Sequence, residues 1–345
     1  MIPIKINPSF EQCLNKIKGG KKILNSLDIT QNLPPNNIKF IQEGNLFYSI
    51  PPIIPQNYIA AFDLDWTLAA NENKLFPTTA DPEDIVLLPG RFERLVELLK
   101  KGYTLALFTN QKTKGKAQVK SLQRVTYFLE KLALPCYTFI STGDDNYRKP
   151  NVGMWEKLQQ LIPNISYAFF VGDALGRPQD FSDSDLKFAQ NIGIPCYSPE
   201  EFFPCQELNL DINNVVLLTV GAPGTGKSSL TENYLKPLGY TVLSRDIIGS
   251  KTKFIKDLQK AVISSSRVAV DSTNGKQTER EVIYEIAKDA GMKIVVVYLL
   301  RNGYGYNLLR SKPVPTIAYH KYYKDMVPPT LENTPGDVFI INNPC

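Results

Sequence analysis

Gly221-Ala222-Pro223-Gly224-Thr225-Gly226-Lys227-Ser228 stands between an apolar run, residues 215–220, and a second segment, residues 229–235. The pattern is G-x-x-x-x-G-K-[ST] in the context it requires, a strand feeding a glycine-rich turn that opens a helix. Three glycines let the backbone turn tightly and aim successive N–H groups inward, and with the helix N-terminus these groups cradle a polyphosphate. Lys227 then lies along the β- and γ-phosphates, and the Ser228 hydroxyl helps to hold Mg2+. Gly221, Gly224, Thr225, Gly226, Lys227, Ser228 and Ser229 are the expected ATP-binding residues. The loop alone does not name the phosphoryl acceptor.

A chain of 345 residues has room for two domains, each able to bury a core. Hydrophobic content of 43% and charged content of 21% belong to a soluble globular protein, and a net charge of +5 permits a nucleic-acid partner without demanding one. The five cysteines, Cys13, Cys136, Cys196, Cys205 and Cys345, are scattered and form no C-x-x-C. That predicts reduced thiols in an intracellular protein of the nucleus or cytoplasm. No signal peptide and no apolar run near ~18 residues is present, so neither secretion nor a membrane span is expected. His320 is the single histidine, which excludes Ser-His-Asp and Cys-His catalysis unless it serves, and argues against a zinc site.

Residues 1–56 read as an N-terminal extension, with a helical start over 10–18, a small basic cluster (Lys16, Lys18, Lys21, Lys22) read as solvated surface, and then Pro34-Pro35, Pro51-Pro52 and Pro55, which argue against long regular elements. Residues 58–62 are a buried strand that ends in Asp63-Leu64-Asp65-Trp66-Thr67-Leu68. Two carboxylates two apart at a strand's carboxyl end face the same side, where open α/β sheets bind ligands, and they suit a divalent metal with a phosphate. A helix over 91–101, a strand over 103–108 ending in Thr109-Asn110, a helix over 114–132, a strand over 136–140, a loop with Lys149, a helix over 153–161 and a strand over 167–171 ending in Gly172-Asp173 follow. Lys114, Lys116, Lys120 and Arg124 read as a solvated helix face. Alternation of this kind implies a parallel doubly wound sheet.

Asp63-x-Asp65-x-Thr67, Thr109, Lys149 and Asp173 resemble, in order, the four motifs of the haloacid-dehalogenase (HAD) phosphohydrolases. The resemblance implies that Asp63 is the nucleophile and that Asp65 is the acid and base. Thr109 would bind phosphoryl oxygens, Lys149 would neutralise charge beside Asp63, and Mg2+ would be held by Asp63, Asp65 and Asp173. Asp180 is the first choice for the remaining acid, ahead of Asp183 and Asp185. Trp66 departs from the family, which has glycine or another small residue there. Further segments, among them Lys74-Leu75-Phe76-Pro77-Thr78, Tyr147-Arg148-Lys149-Pro150, Gly172-Asp173-Ala174 with Gly176-Arg177-Pro178, and Asp180-Phe181-Ser182, are similar to the phosphatase half of the eukaryotic polynucleotide kinase 3′-phosphatases. In that family a HAD phosphatase precedes a P-loop kinase.

The fold class expected is therefore α/β in two domains: an extension (1–56), a HAD-like parallel sheet (57–204), a linker (205–213) and a P-loop kinase parallel sheet (214–345). In the second half, strands are expected over 240–244, 268–270 and 293–300, with helices over 251–265 and 278–290. Asp246 fits the position of an aspartate facing the loop, and a helix N-cap is its alternative. By resemblance Asp246 is the kinase general base, Asp271 and Asn274 have supporting roles, and Arg310 is the lid arginine, with Arg301 competing. Tyr319, Tyr322 and Tyr323 read as packing rather than a base-stacking platform. The family resemblance implies an ATP- and Mg2+-dependent 5′-hydroxyl polynucleotide kinase joined to a 3′-phosphatase. It would act as a monomer on DNA or RNA strand ends with a ligase downstream. The alternative is a small-molecule kinase fused to a small-molecule phosphatase.

Overall fold

The computed structural model describes residues 38–71 and 81–342. The motif at 74–78, the basic cluster and the helical start at 10–18 lie outside these residues. Two compact units are present, with the seam between Pro204 and Cys205. Among the described residues no helix is long and apolar enough to cross a membrane.

The first unit is built on a seven-stranded sheet of order β1-β2-β7-β6-β3-β8-β9. Its strands are β1 (Ile41–Glu43), β2 (Leu46–Ser49), β3 (Tyr58–Phe62), β6 (Tyr103–Asn110), β7 (Cys136–Ser141), β8 (Tyr167–Val171) and β9 (Cys196–Tyr197), while β4 (Ala69–Asn71) and β5 (Ile85–Leu87) form a small ribbon. The five strands from β7 to β9 run parallel. They are nearly continuous apolar runs, as strands covered on both faces must be. Helices α1 (Arg91–Lys100), α2 (Lys116–Leu132), α3 (Gly153–Leu161), α4 (Ser184–Ile192) and α5 (Pro199–Phe202) supply that cover. Each long helix has the expected amphipathic face: on α2 it is Ser121, Arg124, Val125, Phe128, Leu129 and Leu132.

The extension differs from expectation. Residues 41–49 form a hairpin that pairs antiparallel with β7, so the sheet is mixed and part of the extension belongs to it. Gly44 turns the hairpin at φ 59, and Pro51, Pro52 and Pro55 fall in the irregular segment between β2 and β3.

The second unit has a parallel five-stranded sheet, β11-β12-β10-β13-β14, made of β10 (Val215–Val220), β11 (Thr241–Ser244), β12 (Arg267–Asp271), β13 (Lys293–Leu299) and β14 (Asp337–Ile341). Helix α6 (Lys227–Leu230) continues into a π-turn (Thr231–Leu235), followed by α7 (Arg245–Ile248), α8 (Lys251–Ser264), α9 (Gln277–Asp289), α10 (Tyr304–Leu308) and α11 (Thr316–Asp325). The strand β10 lies centrally, between β12 and β13. Cys136 is buried and Cys196 half-buried, and both are free thiols, as expected of them.

Phe108 of β6 is fully buried and stacks on Phe139 at 5.0 Å, with Phe188 at 5.5 Å and Trp155 at 6.1 Å. Phe108→Ala is expected to destabilise the first unit by about 3–5 kcal/mol in chemical denaturation. A loss below about 1 kcal/mol would contradict this packing.

Candidate functional site

In the first sheet the strand order reverses at β3: the chain passes from β3 to β6 and β7 on one side, then returns to β8 on the other. Such a switch point opens a crevice beyond the carboxyl ends of the strands. Asp63 follows β3, Thr109 is the penultimate residue of β6 and Asp173 follows β8. Lys149 arrives from the loop after β7. Asn110 fixes its backbone, accepting from Lys149 N and donating to Lys149 O, each at 3.0 Å. The Lys149 ammonium is buried, donates to Asp63 Oδ1 at 2.6 Å and lies 2.7 Å from Asp185 Oδ1. Asp63, Thr109, Lys149 and Asp173 therefore converge on one end of one sheet.

The remaining acid is Asp185, which corrects the choice of Asp180. Carboxylate oxygens of Asp63, Asp173 and Asp185 all lie within 4.8 Å of one another. Asp185 is the second residue of α4, and its Oδ2 accepts from Ala174 N at 3.1 Å. It comes this close because residue 172 is glycine: a Cβ there would stand 2.3 Å from Asp185 Oδ2. Asp180 serves the loop instead. It accepts from Leu175 N and Arg177 N and pairs with the Arg177 guanidinium at 2.9 Å.

Three negative charges gathered around one ammonium leave the cluster short of positive charge. Burial first, then repulsion from Asp185 and Asp65, holds Asp63 well above the usual carboxylate range, against the pull of Lys149. Asp173 is raised by burial and by Asp63 and Asp185. An all-oxygen donor set in this state fits a hard divalent cation.

Asp65 is not one of the three clustered acids, so its side chain does not share the metal position assigned to it. Its Oδ2 accepts from Gln111 Nε2 at 2.9 Å, and its Oδ1 pairs with the guanidinium of Arg124. Gln111 Nε2 also donates to Thr109 Oγ1 at 3.0 Å, joining the second acid to the threonine. Arg124 is buried, not solvated, while Lys114, Lys116 and Lys120 of the same stretch are exposed. The signal that identifies Arg124 is its helical register, which sets it among Ser121, Val125 and Phe128 on the apolar face.

In the second unit the glycine-rich loop follows β10. Lys227 is buried and folds back on the loop, donating to Gly221 O at 2.9 Å and Ala222 O at 2.7 Å. Ser228 and Ser229 are exposed at the start of α6, and Thr225 Oγ1 donates to Ala222 O at 2.9 Å. Gly224, at φ 81, lies against the Gly303 backbone, whose carbonyl would be 2.1 Å from a Cβ at 224. Tyr319 is fully buried and its hydroxyl donates to Pro223 O at 2.6 Å, which bears out packing for this residue.

Asp271 closes β12, buried, and Asp246 is exposed in the first turn of α7 with no side-chain cap made there. Both lie close enough to raise the Lys227 pKa, and Arg310 close enough to lower it. Asn274 donates to Thr219 O at 2.9 Å and holds the following loop against β10. Arg310 is exposed, and Arg301 stacks on Tyr306 at 4.4 Å while its NH2 donates to the Tyr306 hydroxyl at 2.6 Å. Asn307, which sequence reasoning did not single out, is buried and exchanges two 2.9 Å hydrogen bonds with the Val314 backbone, closing the loop that carries Arg310.

The two candidate fourth acids separate by measurement. Asp185→Asn is expected to weaken divalent-cation binding, read by calorimetry, by tenfold or more, because it removes a charge from the cluster. Asp180→Asn should change it less than about threefold. The opposite ranking would restore Asp180.

Comparison with known proteins agrees with this geometry. Residues 58–203 match the family model described as polynucleotide kinase 3 phosphatase. The bifunctional polynucleotide phosphatase/kinase of Schizosaccharomyces pombe is 29% identical over 314 residues, covering 79% of this chain and 76% of its own. An uncharacterized 20.8 kDa protein of Autographa californica nuclear polyhedrosis virus is 36% identical over 188 residues, covering 50% of this chain and 98% of its own. A polynucleotide 3′-phosphatase of Arabidopsis thaliana is 36% identical over 167 residues, covering 42% of this chain and 24% of its own. The chain belongs to the polynucleotide kinase 3′-phosphatase family.

Proposed function

We propose that the chain heals nucleic-acid strand ends in DNA or RNA repair, removing a 3′-phosphate with its first unit and phosphorylating a 5′-hydroxyl from ATP with its second. A ligase would then seal the joined ends. The observation that carries the reading is the buried Lys149 held between Asp63 and Asp185 beside Asp173, in a chain that also bears a glycine-rich phosphate loop.

In the phosphatase, a carboxylate oxygen of Asp63 attacks phosphorus, and the P–O3′ bond breaks with its electron pair leaving on O3′. Asp65 supplies the proton that O3′ takes up, then accepts one from the water that cleaves the aspartyl-phosphate. Lys149 and Thr109 bind the phosphoryl oxygens. Magnesium fits the oxygen set of Asp63, Asp173 and Asp185, and would contribute charge neutralisation there.

In the kinase, Asp246 accepts the proton of the 5′-hydroxyl as its oxygen attacks the γ-phosphorus, and ADP leaves. Lys227 must exchange the carbonyls of Gly221 and Ala222 for phosphate oxygens. Ser228 would hold the nucleotide's Mg2+. Arg310, exposed on its clamped loop, is the arginine expected to reach the transferring group, and Arg301 is its competitor from beside the glycine-rich loop.

A panel of labelled oligonucleotides with 5′-hydroxyl or 3′-phosphate ends, incubated with ATP and Mg2+, tests the reading. Asp63→Asn is expected to lower 3′-phosphate release at least a thousandfold and to spare 5′-phosphorylation, and Lys227→Ala should do the reverse. Variants that leave both activities intact would refute these assignments.

A second test uses pH. Burial pulls the Lys227 ammonium down to about 8, so it is charged below that pH and neutral above it. Polyphosphate favours the charged form, so ATP affinity should be full below pH 8 and fall by up to about tenfold per unit above it. In Lys227→Arg the guanidinium stays charged, and the affinity should be flat from pH 7 to 9.5. A flat wild-type profile would contradict a lowered pKa at Lys227.

A further inference from the structure

Among the described residues nothing in the packing requires a tryptophan at position 66. Its backbone sits at φ 62, in the left-handed region that glycine occupies without penalty and a bulky side chain does not. The turn around it is held by main-chain bonds that any residue would make: Trp66 N to Ala69 O at 2.7 Å, Leu68 N to Leu64 O at 3.0 Å and Ala69 N to Leu64 O at 2.9 Å. The core that takes in Leu64 and Leu68 does not take in Trp66, which is only half-buried. Among the described residues no aromatic ring and no cationic side chain stacks on its indole. The other tryptophan, Trp155, is by contrast buried in the core beside Phe108. A strained backbone kept for a half-buried indole that stacks on no described ring or cation points to function, and this one directly follows Asp65 and lies three residues after Asp63.

We infer that the indole of Trp66 is a stacking surface for the base of the terminal 3′-phosphorylated nucleotide, which makes it a specificity-determining residue of the phosphatase. The inference rests on the 3′-phosphatase reading and goes beyond it. An aromatic face accepts every base, because each presents a π surface, so Trp66 selects a nucleotide end over a base-less phosphate ester without selecting sequence. Its position one residue from Asp65 ties base recognition to the group that delivers the proton to O3′.

The test is a cycle between residue and base. KM is measured for 3′-phosphorylated oligonucleotides whose last nucleotide is either intact or abasic, with wild type, Trp66→Gly and Trp66→Phe. For wild type, removing the base should raise KM roughly tenfold. For Trp66→Gly, KM for the intact end should rise by a similar factor, and removing the base should add less than twofold. Trp66→Phe should recover most of the wild-type preference. Glycine suits this backbone, so the Trp66→Gly melting temperature should equal or exceed that of wild type.

Three results would overturn the inference: a wild type indifferent to the base, a Trp66→Gly variant that penalises the abasic end as wild type does, or a fall in its melting temperature. No phosphate release by wild type from any oligonucleotide would instead remove the phosphatase reading on which the inference stands.

Discussion

The first unit's site depends on one ammonium. Lys149 is buried between Asp63 and Asp185, and its ammonium pairs with two of the three clustered carboxylates. Leaving such charges unpaired away from water is among the costlier things a fold can do. The sheet is arranged around this constraint. Parallel pairing of β3 with β6 and β8 brings Asp63, Thr109 and Asp173 to the same edge, and Asn110 at the end of β6 grips the Lys149 backbone from both sides. The ammonium offsets only part of the charge, so the same group that makes the acids tolerable leaves a place for a further cation.

The second unit meets a phosphate in the opposite way. Its loop contains no acid, and the buried Lys227 satisfies itself on two loop carbonyls. The loop's shape is enforced from outside by the Gly303 backbone, which lies against Gly224, and by the hydroxyl of Tyr319, which donates to Pro223 O. Glycine at 224 is thus required by a neighbour as well as by φ. The acid cluster and the glycine-rich loop both sit beyond the carboxyl ends of parallel strands, where the geometry of α/β sheets puts ligands.

Much of this was legible in the sequence, because buried parallel strands are apolar runs and the chemistry follows directly after them. Residues 58–62 and 167–171 are the strands expected, and the acids that follow them fall where the pattern puts them. What was not legible needed three dimensions. Asp180, Asp183 and Asp185 are indistinguishable by spacing, and only the absence of a Cβ at Gly172 shows which one can come close. Arg124 looked like one cation among several on a charged helix, and its role beside Asp65 depends on which way that helix faces. The β1–β2 hairpin was hidden because strands of three and four residues carry too little alternation to stand out among prolines.

The proposed phosphatase chemistry has Asp63 accept a phosphoryl group while it shares a divalent cation with Asp173 and Asp185. A crystal structure of the chain grown with Mg2+ and beryllium fluoride, a mimic of a carboxylate-bound phosphoryl group, tests it most directly. Trifluoroberyllate is expected bonded to a carboxylate oxygen of Asp63, with a fluoride facing the Lys149 ammonium and Mg2+ among the three acids. Beryllium fluoride on another residue, or Mg2+ held away from Asp173 and Asp185, would contradict it.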